Sequence, residues 1–355
     1  MANLTVSSIL EYAIKSKASD IHITEWKPLT FRINGELKIM NQAWVIDSVK
    51  IKQILLELLK EDKKTAKKFL NEHDLDFAYM YKNWTSFRVN AFYRLWRISF
   101  VLRQIANSAM EIEDLWLPPS VKVFTQLKQW LVLITWPTGS WKSTTMVALL
   151  ERINKERWEH ILTIEDPVEF VFEDKKSIFS QREVWRDTES FAKALKAAMR
   201  EDPDIVMVWE LRDTETVKAA LELAETWHLV ISTLHTSSAV TTISRLLSFF
   251  PLDSQNAIRE KLADTLKWVL SQRLIPKIWW WRVWIYELMF VNTWIRNLIR
   301  EWRTNQIQWN IETWMKYWMI TMRKFADYLR DKWIVKEESY INYFKEDADI
   351  EKIES

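Results

Sequence analysis

A lysine and a serine, Lys142-Ser143, come directly after an apolar run and open a helical pattern. In such a turn backbone N–H groups can wrap a phosphate, while the lysine reaches the β- and γ-phosphates and the serine hydroxyl binds Mg²⁺. The chain matches the phosphate-loop pattern G-x-x-x-x-G-K-[ST] if the tryptophans at 136 and 141 take its two glycine positions. A plain strand–turn–helix with a surface lysine is the alternative. The predicted nucleotide-binding residues are Trp136, Pro137, Thr138, Gly139, Ser140, Trp141, Lys142, Ser143 and Thr144.

The tryptophan content of the chain is abnormal. There are 23 tryptophans and only two glycines, Gly35 and Gly139, which together make 25 of 355 residues. That total is close to the share of about 7 % that glycine alone normally has. Tryptophans also stand where glycine is favoured, such as Trp302 after a predicted helix end. We therefore hypothesise that the gene uses UGA for glycine and was translated with UGA as tryptophan. A genuinely tryptophan-rich protein is the alternative, and UGG codons would establish it.

Acidic side chains follow two of the apolar runs. Glu210 comes just after the run 204–208, where it can act as general base toward a water that attacks the nucleotide. Glu165 and Asp166 follow another run, and acids at that edge can hold Mg²⁺ or its waters. We predict Glu210 and Glu165 as catalytic residues, and Glu165 together with Ser143 as metal ligands. A surface acid at 210 and a turn at Asp166-Pro167 are the alternatives.

Two histidines, His228 and His235, bracket one apolar run and lie seven residues apart. A histidine at the end of a strand can sense a γ-phosphate or a water, so both are predicted to be catalytic. A structural role is the alternative for each. Metal binding by these histidines is disfavoured because further ligands are missing from the pattern.

Apolar runs alternate with helical patterns from residue 121 onward, which predicts a parallel sheet covered on both faces. We expect strands at 131–135, 160–164, 204–208 and 229–234, and helices at 143–156, 189–201 and 214–226. Residues 1–107 predict a small mixed α+β domain, and 108–120 a linker because Leu117-Pro118-Pro119 cannot continue a helix. The fold class is therefore α/β, with a large domain at 121–355.

Composition and charge exclude several kinds of protein. The formal net charge is +2, which gives no basic field to attract nucleic acid. The absence of cysteine excludes disulfides and thiolate–zinc sites, and it fits a reducing cytoplasm. No apolar run is long enough to span a bilayer. We therefore expect neither nucleic-acid binding nor direct membrane insertion.

The motifs together resemble the secretion ATPase superfamily, with a Walker A loop, an acidic box at 163–169, a Walker B strand ending in Glu210 and a histidine box at 226–235. Further similarity lies in Ala18-Ser19-Asp20-Ile21-His22-Ile23, in the arginine region 88–103 and in Gln272-Arg273-Leu274. The stretch 295–301 is similar to the C-terminal signature of the type IV pilus retraction ATPases. The departures from the family pattern are tryptophans at glycine positions.

The resemblance implies a RecA-like P-loop ATPase domain preceded by a PAS-like domain. It implies a homo-hexameric ring that uses ATP and Mg²⁺, and arginines of the small domain that stabilise phosphate charge, here Arg88, Arg94, Arg97 and Arg103. It also implies pilus retraction and twitching motility, carried out at the cytoplasmic face of the inner membrane on a pilus platform protein.

Other functions remain open from the sequence alone. A pilus assembly or type II secretion ATPase is the first alternative, although those proteins usually carry a further N-terminal domain and often a tetracysteine zinc insert. A nucleic-acid-translocating motor is disfavoured by the charge. A ring without ATPase activity is an alternative only if the tryptophans are genuine.

Overall fold

The computed structural model describes residues 4–33, 35–40, 44–60, 63–82, 85–104, 110–115, 117–136, 142–278, 282–314, 319–341 and 344. The chain divides into two compact units. The first is Met1–Ser108 with Pro167–Val171, and the second is Ala109–Asp166 with Phe172–Ser355. The predicted linker contributes a short 3-10 helix, Ile112–Leu115, to the second unit, where both of its end residues are buried.

The first unit is an antiparallel sheet with helices against one face. The strand order is β3-β2-β1-β6-β5-β4, and every neighbouring pair is antiparallel. The elements are α1 (Val6–Lys15), β1 (Ala18–Thr24), β2 (Thr30–Ile33), β3 (Glu36–Ile39), α2 (Ser48–Leu58), α3 (Lys63–Glu72), β4 (Asp74–Met80), β5 (Ser86–Arg94) and β6 (Arg97–Gln104).

Local sequence explains these elements. Helix α1 begins at a capping box formed by Thr5 and Ser8, and α2 buries one apolar stripe at helical spacing, including Ile51 and Ile54. In β1 the apolar side chains alternate with polar ones, so that Ile21 is buried in the core. Because alternate residues of a strand face opposite sides, the other face of this sheet carries charged groups.

The second unit contains the predicted parallel sheet. Its strand order is β13-β12-β7-β11-β10-β8-β9, with six parallel strands and an antiparallel strand, β13, at one edge. The strands are β7 (Trp130–Thr135), β8 (His160–Glu165), β9 (Ile178–Glu183), β10 (Ile205–Val208), β11 (Leu229–Leu234), β12 (Leu266–Pro276) and β13 (Arg282–Phe290). The α/β prediction is thereby confirmed.

Helices and a 3-10 helix, Pro119–Gln126, surround this sheet. The helices are α4 (Lys142–Glu156), α5 (Phe191–Ala198), α6 (Thr214–Glu225), α7 (Ala239–Ser248), α8 (Gln255–Thr265), α9 (Thr293–Arg300), α10 (Ile307–Thr313) and α11 (Met322–Asp331). In the part of the chain that the structure describes, no helix has the length and apolar character to cross a membrane.

The tryptophans concentrate where the backbone favours glycine. Twelve described residues other than glycine have positive φ, and seven of them are tryptophans. Such a conformation costs about 1–2 kcal/mol for a residue with a Cβ atom. Two buried tryptophans, Trp136 and Trp268, have an indole N–H that finds no hydrogen-bond partner among the described residues. These features agree with the recoding hypothesis, which stays a prediction. The seven positive-φ tryptophans are Trp26, Trp96, Trp130, Trp185, Trp227, Trp302 and Trp333.

Candidate active site

The carboxyl ends of four adjacent parallel strands form one edge of the second sheet. In the order β7, β11, β10 and β8, these strands lead into the predicted phosphate loop, His235, Glu210 and the pair Glu165-Asp166. Ligands of open α/β sheets bind at the carboxyl ends of the strands. The topology therefore brings the predicted motifs together although they are spread over about a hundred residues of sequence.

Glu210 lies at the centre of this edge and is largely buried, with 15 % of its side chain exposed. Its Oε1 atom is 3.3 Å from Nε2 of His235, which follows the neighbouring strand. Its Oε2 atom accepts a hydrogen bond of 2.8 Å from Nε of Arg212. Both carboxylate oxygens therefore have a partner, and the two partners come from different elements.

Arg212 was not among the residues predicted from the sequence. Its Nη1 donates to Oδ2 of Asp166 at 3.2 Å, so it bridges the segment after β10 to the segment after β8. Burial lowers the pKa of Arg212, but the hydrogen bond and charge of Glu210, with the charge of Asp166, hold that pKa above its usual value. Its position two residues after Glu210, in the same strand-end segment, was the signal that identifies it.

Glu165 is more deeply buried than the other acids, at 1 % exposure. Its Oε1 atom accepts hydrogen bonds from the Thr163 hydroxyl at 2.7 Å and from Nε2 of Gln181 at 3.1 Å. These bonds hold the carboxylate at the end of β8. Asp166 is the more exposed neighbour, with 29 % of its side chain accessible.

The phosphate loop itself, residues 137–141, lies outside the described residues, and so do the side chains of Lys142 and Ser143. The residues that flank the loop in the sequence are held by hydrogen bonds. The backbone N–H of Trp136 donates to Leu234 O at 3.3 Å. In the first turn of α4, the Thr145 hydroxyl accepts from Nε2 of Gln272 at 3.0 Å, in a buried contact. Thr144 lies in the same turn and is partly buried.

The two histidines occupy opposite ends of β11. His228 precedes the strand, and its Nδ1 lies 3.1 Å from both the Thr226 hydroxyl and Leu223 O. His235 follows the strand and lies at Glu210. With about 3.3 Å per residue, the strand separates them by roughly 20 Å. The structure therefore brings only His235 to this edge, and a catalytic role of His228 stays a prediction.

The four predicted arginines fall into two pairs in the first unit. Arg88 and Arg103 are register partners on β5 and β6, while Arg94 and Arg97 are partners beside the turn of that hairpin. Six residues of strand, about 20 Å, lie between the pairs. The structure therefore does not gather the four arginines into one cluster.

The arginine pair away from the turn is held by acids. Nε of Arg103 donates to Oδ1 of Asp20 at 2.8 Å, and Arg88 Nη1 lies 3.4 Å from Glu169 Oε1. Burial raises the pKa of Asp20, but hydrogen bonds from Arg103 and Ser19 and the charge of Arg103 outweigh it, so that pKa lies below its usual value. The Arg103 side chain stays 71 % exposed.

A parallel-rich α/β sheet that follows a small α+β unit, with an acid and a histidine in contact at the carboxyl ends of two neighbouring strands, is typical of ATPases of the P-loop class. A family model described as "Type II/IV secretion system protein" matches residues 2–280. The chain belongs to this family.

Sequence and structure comparisons place pilus motors among its relatives. The "Type IV pilus retractation ATPase PilT" of Pseudomonas aeruginosa is 39 % identical over 310 residues, which is 87 % of this chain and 89 % of that protein. A "Twitching motility protein" of Neisseria gonorrhoeae is 36 % identical, over 87 % of this chain and 82 % of its own length. A crystal structure of the pilus retraction motor PilT with bound ADP matches with a TM-score of 0.87 at 40 % identity, and covers 96 % of this chain and 97 % of that one.

Proposed function

We propose that this chain is the ATP-hydrolysing subunit of a hexameric motor that retracts type IV pili. The observation that carries the proposal is the order of strand ends. The strand that leads into His235 lies beside the strand that leads into the predicted phosphate loop, and His235 in turn contacts Glu210 at the end of the next strand. The relatives support the choice of retraction, because two of the proteins that match over most of their length are named as a pilus retraction ATPase and a twitching motility protein.

Each motif has a separate role in the proposed reaction. Lys142 and the loop backbone bind the β- and γ-phosphates. A water attacks the γ-phosphorus and gives its proton to Glu210, the bond between that phosphorus and the β–γ bridging oxygen breaks, and ADP leaves. His235 touches the Glu210 carboxylate and can report on the γ-phosphate.

The donor set fits Mg²⁺. No group of three or more acids and histidines is placed to hold a metal ion within the part of the chain that the structure describes. Mg²⁺ at nucleotide sites needs only one or two protein oxygens, because phosphates and waters supply the rest. Ser143 would hold the ion directly, and Glu165, fixed by Thr163 and Gln181, would hold it or one of its waters. Bound there, the ion would neutralise charge on the phosphates.

In the proposed hexamer, the arginines at each ATP come from a neighbouring subunit. We propose that arginines from the first unit of one subunit stabilise phosphate charge at the ATP of the next subunit, as an arginine supplied in trans does in other P-loop enzymes. The motor would work at the cytoplasmic face of the inner membrane, where a pilus platform protein is its partner. An assembly or type II secretion ATPase is the second candidate, because the matching family includes secretion proteins.

The experiment that tests this function uses the form of the chain, tryptophan or glycine, that binds ATP. This form should restore twitching when it is expressed in Pseudomonas aeruginosa cells that lack their own retraction ATPase, whereas its Lys142→Ala variant should not. Lys155→Ala is the matched control, because Lys155 lies on the same helix, α4, and pairs with Glu111 away from the phosphate loop. Hydrolysis without restored twitching in cells that still extend pili would favour assembly or secretion.

A further inference from the structure

The segment after β10 contains a bridge between two acids. The bridge consists of Arg212 with Glu210 on one side and Asp166 on the other, at 2.8 Å and 3.2 Å. We propose that Arg212 is a positioning residue, which fixes the Glu210 carboxylate for catalysis by tying it to the segment after β8. This inference rests on the proposed role of Glu210 in ATP hydrolysis.

The geometry of the bridge selects one orientation of Glu210. A glutamate side chain has three rotatable bonds, and its carboxylate can turn freely unless both oxygens are held. Here Oε2 is held by Arg212, and Oε1 lies at His235. The two contacts involve different oxygens of the carboxylate, so together they restrict its rotation as well as its position.

The planar guanidinium suits this task better than an ammonium group. Arg212 uses Nε for Glu210 and Nη1 for Asp166, which are two donors at a fixed separation. A lysine carries one point charge and cannot reproduce that fork. The Arg212 side chain is 49 % exposed, so solvent screens its charge and its effect on Glu210 is mainly one of position.

A positioning role predicts a specific kinetic signature. Because Arg212 acts through Glu210, Arg212→Gln should lower kcat by about 10–10²-fold and leave the KM for ATP within about twofold. If Arg212 instead contacted the nucleotide, KM would rise together with the fall in kcat. A purely structural role would lower the melting temperature or the hexamer fraction without a selective fall in kcat.

The decisive measurement is a double-mutant cycle in the ATP-binding form of the full chain. Arg212→Gln should lower kcat strongly on the native background but have almost no further effect on Glu210→Gln, because the group that it positions is already disabled. Equal losses on both backgrounds would overturn the proposal. If Glu210→Gln alone left kcat unchanged, the proposed function of Glu210 would fail instead, and the two failures are distinguishable.

Three further variants complete the test. The kcat of Arg212→Lys should fall about as much as that of Arg212→Gln, and full activity of the lysine variant would contradict the proposed role of the bridge. Asp166→Asn keeps the shape of the side chain and should lower kcat less, with the loss again absent on the Glu210→Gln background.

Arg182→Gln is the matched control: Arg182 donates to Glu201 at 2.7 Å in the same unit, and its loss should leave kcat unchanged. A fall in kcat for this control equal to that of Arg212→Gln would contradict a role specific to Arg212.

Discussion

The carboxyl edge of the second sheet and the charged face of the first sheet present their functional residues differently. At the edge, Glu210, His235 and Arg212 come from two strand ends and meet within 3.3 Å. On the first sheet, the predicted arginines follow one hairpin, and strand length keeps Arg103 away from Arg97.

Topology explains this difference. Parallel strands all end at the same edge, so residues that follow such strands meet whatever their separation in sequence. Residues along one antiparallel hairpin instead keep the spacing of the strand, about 3.3 Å per residue. One subunit therefore assembles the acid and histidine by itself. Because of this spacing, the four arginines cannot all contact one phosphate group. We expect only Arg88 and Arg103, the pair away from the hairpin turn, to contact it.

The largest expected effect concerns the predicted phosphate loop, which follows β7 in the sequence. A chain with tryptophan at all 23 positions should show no measurable ATP binding, and a chain with glycine there should bind and hydrolyse ATP. An indole at position 141 would take the space of the phosphates, and each of the seven left-handed tryptophans costs about 1–2 kcal/mol. That sum is a large part of a typical stability of ~5–15 kcal/mol.

Isothermal titration of both proteins with ATP and Mg²⁺ measures this difference. A variant with glycine only at positions outside the loop separates folding from binding, since it should fold without binding ATP. Tight ATP binding by the tryptophan protein would overturn the recoding hypothesis and the account of the loop.

The second effect would sharpen the contrast between the arginine pairs. Arg103→Ala should lower the ATPase rate of the hexamer by about 10³-fold, the scale of an arginine supplied in trans. Arg97→Ala, on the same strand but beside the turn, is the matched control and should change the rate little. Mixed hexamers of Lys142→Ala and Arg103→Ala subunits should regain activity at some interfaces, and no recovery at any mixing ratio would count against action in trans.

The smallest effect concerns the pH dependence of stability in the two regions. Burial raises the pKa of Glu287, whose Oε1 accepts from the Ala239 N–H at 2.8 Å. A carboxyl with a raised folded pKa favours the folded state below its unfolded pKa and loses that contribution as the pH rises. Glu287→Gln should therefore raise Tm on the order of a few °C at about pH 8 and not at about pH 4.

Asp20 in the first unit should show the opposite dependence. Its folded pKa is lowered, so its contribution is present above the unfolded pKa and is lost as the pH falls. Asp20→Asn should lower Tm at neutral pH, with a difference that shrinks toward acid. Melting curves across pH measure both variants, and parallel shifts of the two would contradict the assigned environments.

Much of the fold followed from the sequence because the second unit obeys simple patterns. The predicted strand 229–234 matches β11 residue for residue, and the predicted helix 214–226 differs from α6 by one residue at its end. Three strands of this sheet, β9, β12 and β13, were not predicted. Strand β13 pairs with β12 in the antiparallel direction, and an alternation of strands with helices does not predict such a partner.

Some residues of the site could be predicted from the sequence and others could not, and the reason is physical. Glu210 and His235 follow apolar strands, a position that sequence reveals. The position of Arg212 two residues after Glu210 is a sequence signal, but its bridging role follows only from the structure, because its partner Asp166 lies 46 residues away. The separation of His228 from His235 depends on β11 spanning the whole interval between them, which fixes them at opposite edges of the sheet.

The most direct test of the carboxyl edge as the catalytic site is the turnover of Glu210→Gln, measured with its ATP affinity. The substitution keeps the shape of the side chain but removes the base, so kcat should fall by about 10² or more while the Kd for ATP stays within about threefold. Glu201→Gln, which breaks the partly buried pair with Arg182, is the control and should leave kcat unchanged. A kcat for Glu210→Gln within about twofold of the unsubstituted chain would contradict the account.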